Sequence, residues 1–111
     1  MSDIMFGLFK DKLADTENDQ LADEIKNGAF LVDVRTSQEF AGGSVKNAVN
    51  IPLNQLETSL DNFKGKKAIV VFCQSGSRSG RAKRILEKHG FQQVVNGGGW
   101  RSLSKLVNSI T

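Results

Sequence analysis

The run Ala68-Ile69-Val70-Val71-Phe72 constrains this chain more than any other segment. It is apolar throughout, rich in β-branched residues, and passes directly into Cys73 and the stretch Gln74-Ser75-Gly76-Ser77-Arg78-Ser79-Gly80-Arg81. Residues of that type and number form a buried strand. Beyond Arg81, the positions Ala82, Ile85, Leu86 and His89 fall at i, i+3, i+4 and i+7, and Gly90 stands where the resulting helix would end. The cysteine therefore occupies a strand-to-helix turn.

The rest of the chain repeats this alternation. Residues 16–27 carry Leu21, Ala22 and Ile25 on one helical face, with Thr16 or Asn18 as the cap and Gly28 as the stop. Phe30 to Val34 reads as a strand, Ser37 to Ala41 as one helical turn stopped by Gly42-Gly43, and Ala48 to Ile51 as a short strand closed by Pro52. Residues 54–60 read as a helix with Asn54 and Glu57 at capping-box spacing. Phe91 to Val95 is a further expected strand, Asn96-Gly97-Gly98-Gly99 a turn, and Trp100 to Ile110 an amphipathic helix. Strands alternating with helices predict an α/β fold with a largely parallel central sheet and helices on both faces. Ligands of such sheets collect beyond the carboxyl ends of the strands, where both Asp33-Val34-Arg35 and Cys73 stand.

With 111 residues the chain supports one compact domain. A net charge of +3 is too small an excess for a nucleic-acid binder, and the dense run Lys64-Gly65-Lys66-Lys67 reads as a solvated turn. No stretch is long and apolar enough for a membrane span, and the N-terminus lacks the order of a signal peptide, so the expected location is cytoplasmic. Residues 1–13 stand apart from the domain expected over 14–111, with Ile4, Met5, Leu8, Phe9 and Leu13 sharing one face if helical.

A single cysteine excludes an internal disulfide and a resolving partner within the chain, and one cysteine with one histidine makes a poor metal site. No metal or cofactor is expected. Backbone N–H groups at a strand-to-helix turn, together with the positive end of the helix, favour a thiolate and any anion approaching it. Arg78, five positions after Cys73, adds a positive charge. The pattern predicts a nucleophilic Cys73 acting on an anionic substrate. His89, at a helix end and on its apolar face, is expected to be a packed or helix-terminal residue and not a catalytic one.

Leu31-Val32-Asp33-Val34-Arg35, followed by Glu39-Phe40, Asn50-Ile51-Pro52, the Cys73 to Ala82 segment and Gly97-Gly98-Gly99-Trp100, resembles the single-domain rhodanese family over about residues 16 to 108. The resemblance implies a thiosulfate-type sulfurtransferase. Cys73 would carry the sulfur as a persulfide, and Gln74, Ser75, Gly76, Ser77 and Arg78 would form its cradle. The donor would be thiosulfate or a related anion, and the acceptor cyanide, a low-molecular-weight thiol or a thioredoxin-like protein. Gly43-Ser44-Val45 departs from the Gly-His-Ile usual in that family.

Supporting roles fall to Arg81 as a further anion contact, to Asp33 and Arg35, which either orient the loop or pair with each other, and to Ser79, with Ser77, as helix cap and anion donor. Trp100 reads as core or lid. Two other readings use the same thiolate. A cysteine-dependent phosphatase or arsenate reductase, similar to the dual-specificity phosphatase branch, places its arginine six positions after the cysteine instead of five. A persulfide carrier serving one protein partner would use the same loop as the enzyme.

Overall fold

The computed structural model describes residues 19–110. The expected segment 1–13 and the caps Thr16 and Asn18 lie outside the described residues. Helix α1 runs through residues 19–26 and ends at Gly28, whose φ of 86° is the left-handed conformation that lets a helix stop sharply. There follow β1 (Phe30–Asp33), α2 (Ser37–Ala41), β2 (Val49–Asn50), two 3-10 segments (Leu53–Thr58 and Leu60–Phe63), β3 (Ile69–Cys73), α3 (Ser77–Lys88), β4 (Val94–Gly99) and α4 (Trp100–Ile110). The four strands form one sheet in the order β2-β1-β3-β4, with every pairing parallel.

Strand β3 is central and buried at every position, because helices cover both faces of the sheet. Its alternation sorts the core into two layers. Ile69, Val71 and Cys73 face Ala82 and Leu86 of α3, with Leu56 and Phe63 from the 3-10 segments. Val70 and Phe72 face Leu103 and Val107 of α4, with Leu21 and Ile25 of α1 beside them. Burying a large apolar side chain contributes about 1.5–3 kcal/mol, so these two layers supply the main force holding the sheet between its helices. No helix among the described residues is long and apolar enough to cross a membrane.

Several local expectations are corrected. The helix expected over 54–60 is 3-10, and Asn54 and Glu57 form no capping box because the segment starts at Leu53 behind Pro52, which has no side-chain hydrogen bond to offer. The capping box is at Thr36 and Glu39, where the Thr36 Oγ1 accepts from the Glu39 N–H at 3.1 Å and Glu39 Oε1 accepts from the Thr36 N–H at 3.0 Å. Strand β2 is confined to two residues. His89 is exposed at the end of α3, 3.3 Å from Glu57, and does not pack on the apolar face.

The glycine run after Asn96 is not a turn but the continuation of β4. Val71 pairs with Asn96 and Cys73 with Gly99, so three steps on β4 span two on β3, which is a bulge. Glycine is required there by close approach: a Cβ on Gly97 would lie 2.8 Å from Val70 Cγ1, and one on Gly99 would lie 2.8 Å from the Gln74 carbonyl oxygen. The composition that reads locally as a turn is used to bring a strand against the Cys73 loop.

Candidate active site

Cys73 is the last residue of β3 and is 1% exposed. The chain then bends through Gln74, Ser75 and Gly76 and enters α3 at Ser77, so the helix begins inside the loop instead of after Arg81. Gly76 is the cap, at φ 99°, and neither Ser77 nor Ser79 caps the helix. Both serines lie within its first turn. A left-handed residue at this point suits glycine, and the turn it makes aims successive N–H groups back at the end of β3.

The sulfur sits in the concavity this creates. Gly76 N donates to Cys73 Sγ at 3.0 Å, Ser79 N donates at 3.4 Å, and Ser79 Oγ lies 3.4 Å away. Burial pushes the thiol up, but the hydrogen bonds that a thiolate here would accept, from the Ser79 hydroxyl and from the N–H groups of Ser79, Ser75 and Gly76, outweigh it and bring the pKa from an ordinary 9.0 to about 7. Of the expected cradle, Gln74, Ser75 and Ser77 are exposed, while Ser79, expected only in a supporting role, is fully buried beside the sulfur.

Because the folded value lies below the unfolded one, the thiolate is the form the fold favours. The linked stability is fully present above pH 9.0 and is lost as pH falls through about 7. Ultraviolet thiolate absorbance is therefore expected to rise with a midpoint near 7, and Ser79→Ala, which removes one donor, should move that midpoint upward. A midpoint at the ordinary thiol value in the wild-type protein would show that the N–H groups do not act on the sulfur.

Arg78 does not extend free over the loop. Its two terminal nitrogens meet Glu39 of α2, Nη1 to Oε1 at 2.7 Å and Nη2 to Oε2 at 3.1 Å. The bidentate Arg78 contact, joined by the Thr36 N–H, holds the Glu39 carboxyl down at about 2, so the pair persists throughout the ordinary pH range. Glu39 was legible in sequence only as part of a family motif. Its partner is decided by tertiary packing. Arg81 is exposed and lines, with Arg78, Val34, Pro52, Leu53 and Ile85, a cleft of about 440 Å³.

Of the two readings of Asp33 and Arg35, the geometry has them paired with each other. The pair is buried, at 0% and 3% exposure. Asp33 Oδ2 accepts from Arg35 Nη2 at 2.7 Å and from Ser44 Oγ at 2.7 Å, while Oδ1 accepts from the Arg35 N–H at 2.9 Å. Arg35 also donates to the Gly43 carbonyl at 2.6 Å and lies 4.9 Å from the centre of the Trp100 ring. Ser44, the departure noted in the sequence, thus completes the shell of a buried carboxylate. Asn50 locks the same segment by donating to the carbonyls of Asp33 and Arg35 at 3.0 and 2.9 Å.

Sequence reasoning missed Asn96. From β4 it donates to the Gly76 carbonyl at 3.1 Å and accepts from Ser79 Oγ at 2.7 Å, linking the bulged strand to both ends of the sulfur's cradle. The only signal was its place ahead of the glycine run, and that run reads as a turn.

Comparison with known proteins places the chain that carries this arrangement in a family. A model described as the rhodanese-like domain matches residues 17–105. This chain belongs to the rhodanese-like domain family. Among relatives, Bacillus subtilis YqhL is 41% identical over 68 residues, which are 61% of this chain and 54% of YqhL. The chain thus aligns with little more than half the length of that relative. The Escherichia coli thiosulfate sulfurtransferase PspE is 32% identical over 75 residues, covering 66% of this chain and 72% of PspE. A solved structure described as rhodanese with anions, from E. coli, superposes with a TM-score of 0.62 at 32% identity, covering 67% of this chain and 89% of that one.

Proposed function

We propose that this rhodanese-like protein transfers sulfane sulfur from thiosulfate, or a related anionic donor, to cyanide, a small thiol or a thioredoxin-like acceptor through a persulfide on Cys73. The observation that carries the reading is the set of donors on a buried sulfur: Gly76 N at 3.0 Å and Ser79 N at 3.4 Å, at the N-terminus of α3. The relative named thiosulfate sulfurtransferase and the related rhodanese described with anions support the substrate class.

In the first step the Cys73 thiolate attacks the outer sulfur of thiosulfate. A sulfur–sulfur bond forms to Cys73, the bond within thiosulfate breaks, and sulfite leaves with its electron pair. In the second step the acceptor attacks the outer persulfide sulfur and the Cys73 thiolate departs. With a pKa of about 7, roughly half of the thiol is already ionised at neutral pH. No general base is then needed, and the N–H groups hold the negative charge at both ends of the cycle. The Arg78–Glu39 pair positions one guanidinium at the mouth, and Arg81 adds an exposed cation along the adjoining cleft.

Intact mass tests this directly. Thiosulfate should add one sulfur atom to the protein, and cyanide should remove it with release of thiocyanate. Failure to gain sulfur would overturn the thiosulfate reading, and turnover of an aryl phosphate or arsenate with no thiocyanate formed would assign the thiolate to the phosphatase-like chemistry instead.

A further inference from the structure

The Ser79 hydroxyl has one proton and two neighbours that can take it. Asn96 Oδ1 is 2.7 Å from Ser79 Oγ, and Cys73 Sγ is 3.4 Å away on another side. Which neighbour receives the proton is decided by the orientation of the Asn96 amide, and two backbone groups set that orientation. Gly98 N–H can only donate and lies 2.9 Å from Oδ1, while the Gly76 carbonyl can only accept and lies 3.1 Å from Nδ2. The amide oxygen therefore faces Ser79, and Ser79 must donate to it. Asn96 is exposed and free to turn toward water, yet all three of its contacts are made inward.

With its proton on Asn96, Ser79 presents a lone pair to Cys73. That arrangement suits a thiol, whose S–H can donate to Oγ, and it disfavours a thiolate, which would face oxygen without a hydrogen between them. We propose that Asn96 is a positioning residue for the sulfur chemistry: it holds the Ser79 hydroxyl away from the protonated cysteine and must yield that hydroxyl when the sulfur becomes anionic. Ionisation of Cys73 then turns the hydroxyl from Asn96 Oδ1 to Sγ. The same turn releases one of the contacts joining β4 to the loop, so the charge on sulfur is felt at the bulged strand. The charged groups on the neighbouring elements, Arg78 with Glu39 and Arg35 with Asp33, are each already paired and keep their partners through the change.

The consequence for turnover rests on the sulfur-transfer reading, but the proposal itself is read from thiol ionisation, which needs no substrate. Asn96→Ala removes the competitor and should lower the Cys73 midpoint by about one pH unit, giving about tenfold more thiolate on the acid side of the curve. In a Ser79→Ala background the same Asn96→Ala change should leave the midpoint where Ser79→Ala put it. Thiolate absorbance titration of the four proteins, with far-ultraviolet circular dichroism to verify folding, gives the answer. If Asn96→Ala is poorly folded, Asn96→Ser, too short to span Ser79 and Gly76 together, carries the same expectation. An equal shift in both backgrounds, or no shift when Ser79 is present, would overturn the proposal. A wild-type protein that forms no persulfide would instead overturn the sulfur-transfer reading while leaving this titration decisive.

Discussion

Cys73→Ser is expected to reduce thiosulfate:cyanide sulfur transfer to background, a loss of at least about a thousandfold. Serine fits the site sterically, and its oxygen can accept from the Gly76 and Ser79 N–H groups now directed at Sγ. The variant should therefore fold. What it lacks is chemistry: an alcohol with a far higher pKa cannot act as a neutral-pH nucleophile without a base, and oxygen does not store sulfur as a persulfide does. The variant should gain no sulfur when treated with thiosulfate, as read by intact mass. Retained thiocyanate production by a folded Cys73→Ser protein would place the nucleophile outside β3 and remove the basis of the proposed mechanism.

Asp33→Ala should have the largest effect on stability, about 3–5 kcal/mol, because it leaves the Arg35 guanidinium buried without its counter-ion. Arg35 is 3% exposed and enclosed by the Gly43 carbonyl and the Trp100 ring, with little room to reach water. For a domain of this size that loss corresponds to a fall in Tm of roughly 10–25 °C. Replacing both partners, as in Asp33→Leu with Arg35→Met, removes the uncompensated charge and should recover part of the loss. Urea unfolding of the three proteins separates the cases. If the double variant were as unstable as Asp33→Ala alone, the cost would lie in lost geometry at the end of β1, not in the buried charge.

The alternation of strands and helices was legible because it rests on short-range periodicity. The β3 run is apolar at every position, which only a strand covered on both faces requires, and the i, i+3, i+4 spacing after the loop marks a helix. The place of Cys73 was legible for a similar reason, since the lone cysteine falls at the junction between those two patterns. Boundaries failed where local chemistry is ambiguous. Gly97 to Gly99 carry no side chains to signal a strand, and only the space left by Val70, Leu103 and the Gln74 carbonyl shows why β4 must pass through them. The 3-10 segments failed because Asn54 and Glu57 have capping-box spacing, yet Pro52 starts the segment one residue too early to use it.

By itself the sequence determined the layered α/β architecture, the place of Cys73 at the end of a buried strand and the N–H-rich turn after it. Each depends on residues close together in the chain. Tertiary structure alone decided that Arg78 is held by Glu39, 39 positions away, and that the sulfur's hydroxyl neighbour is shared with Asn96, 17 positions beyond Ser79. A side chain's partner across the fold depends on crossing geometry, strand register and a bulge of one residue, and none of these leaves a periodic trace in the sequence.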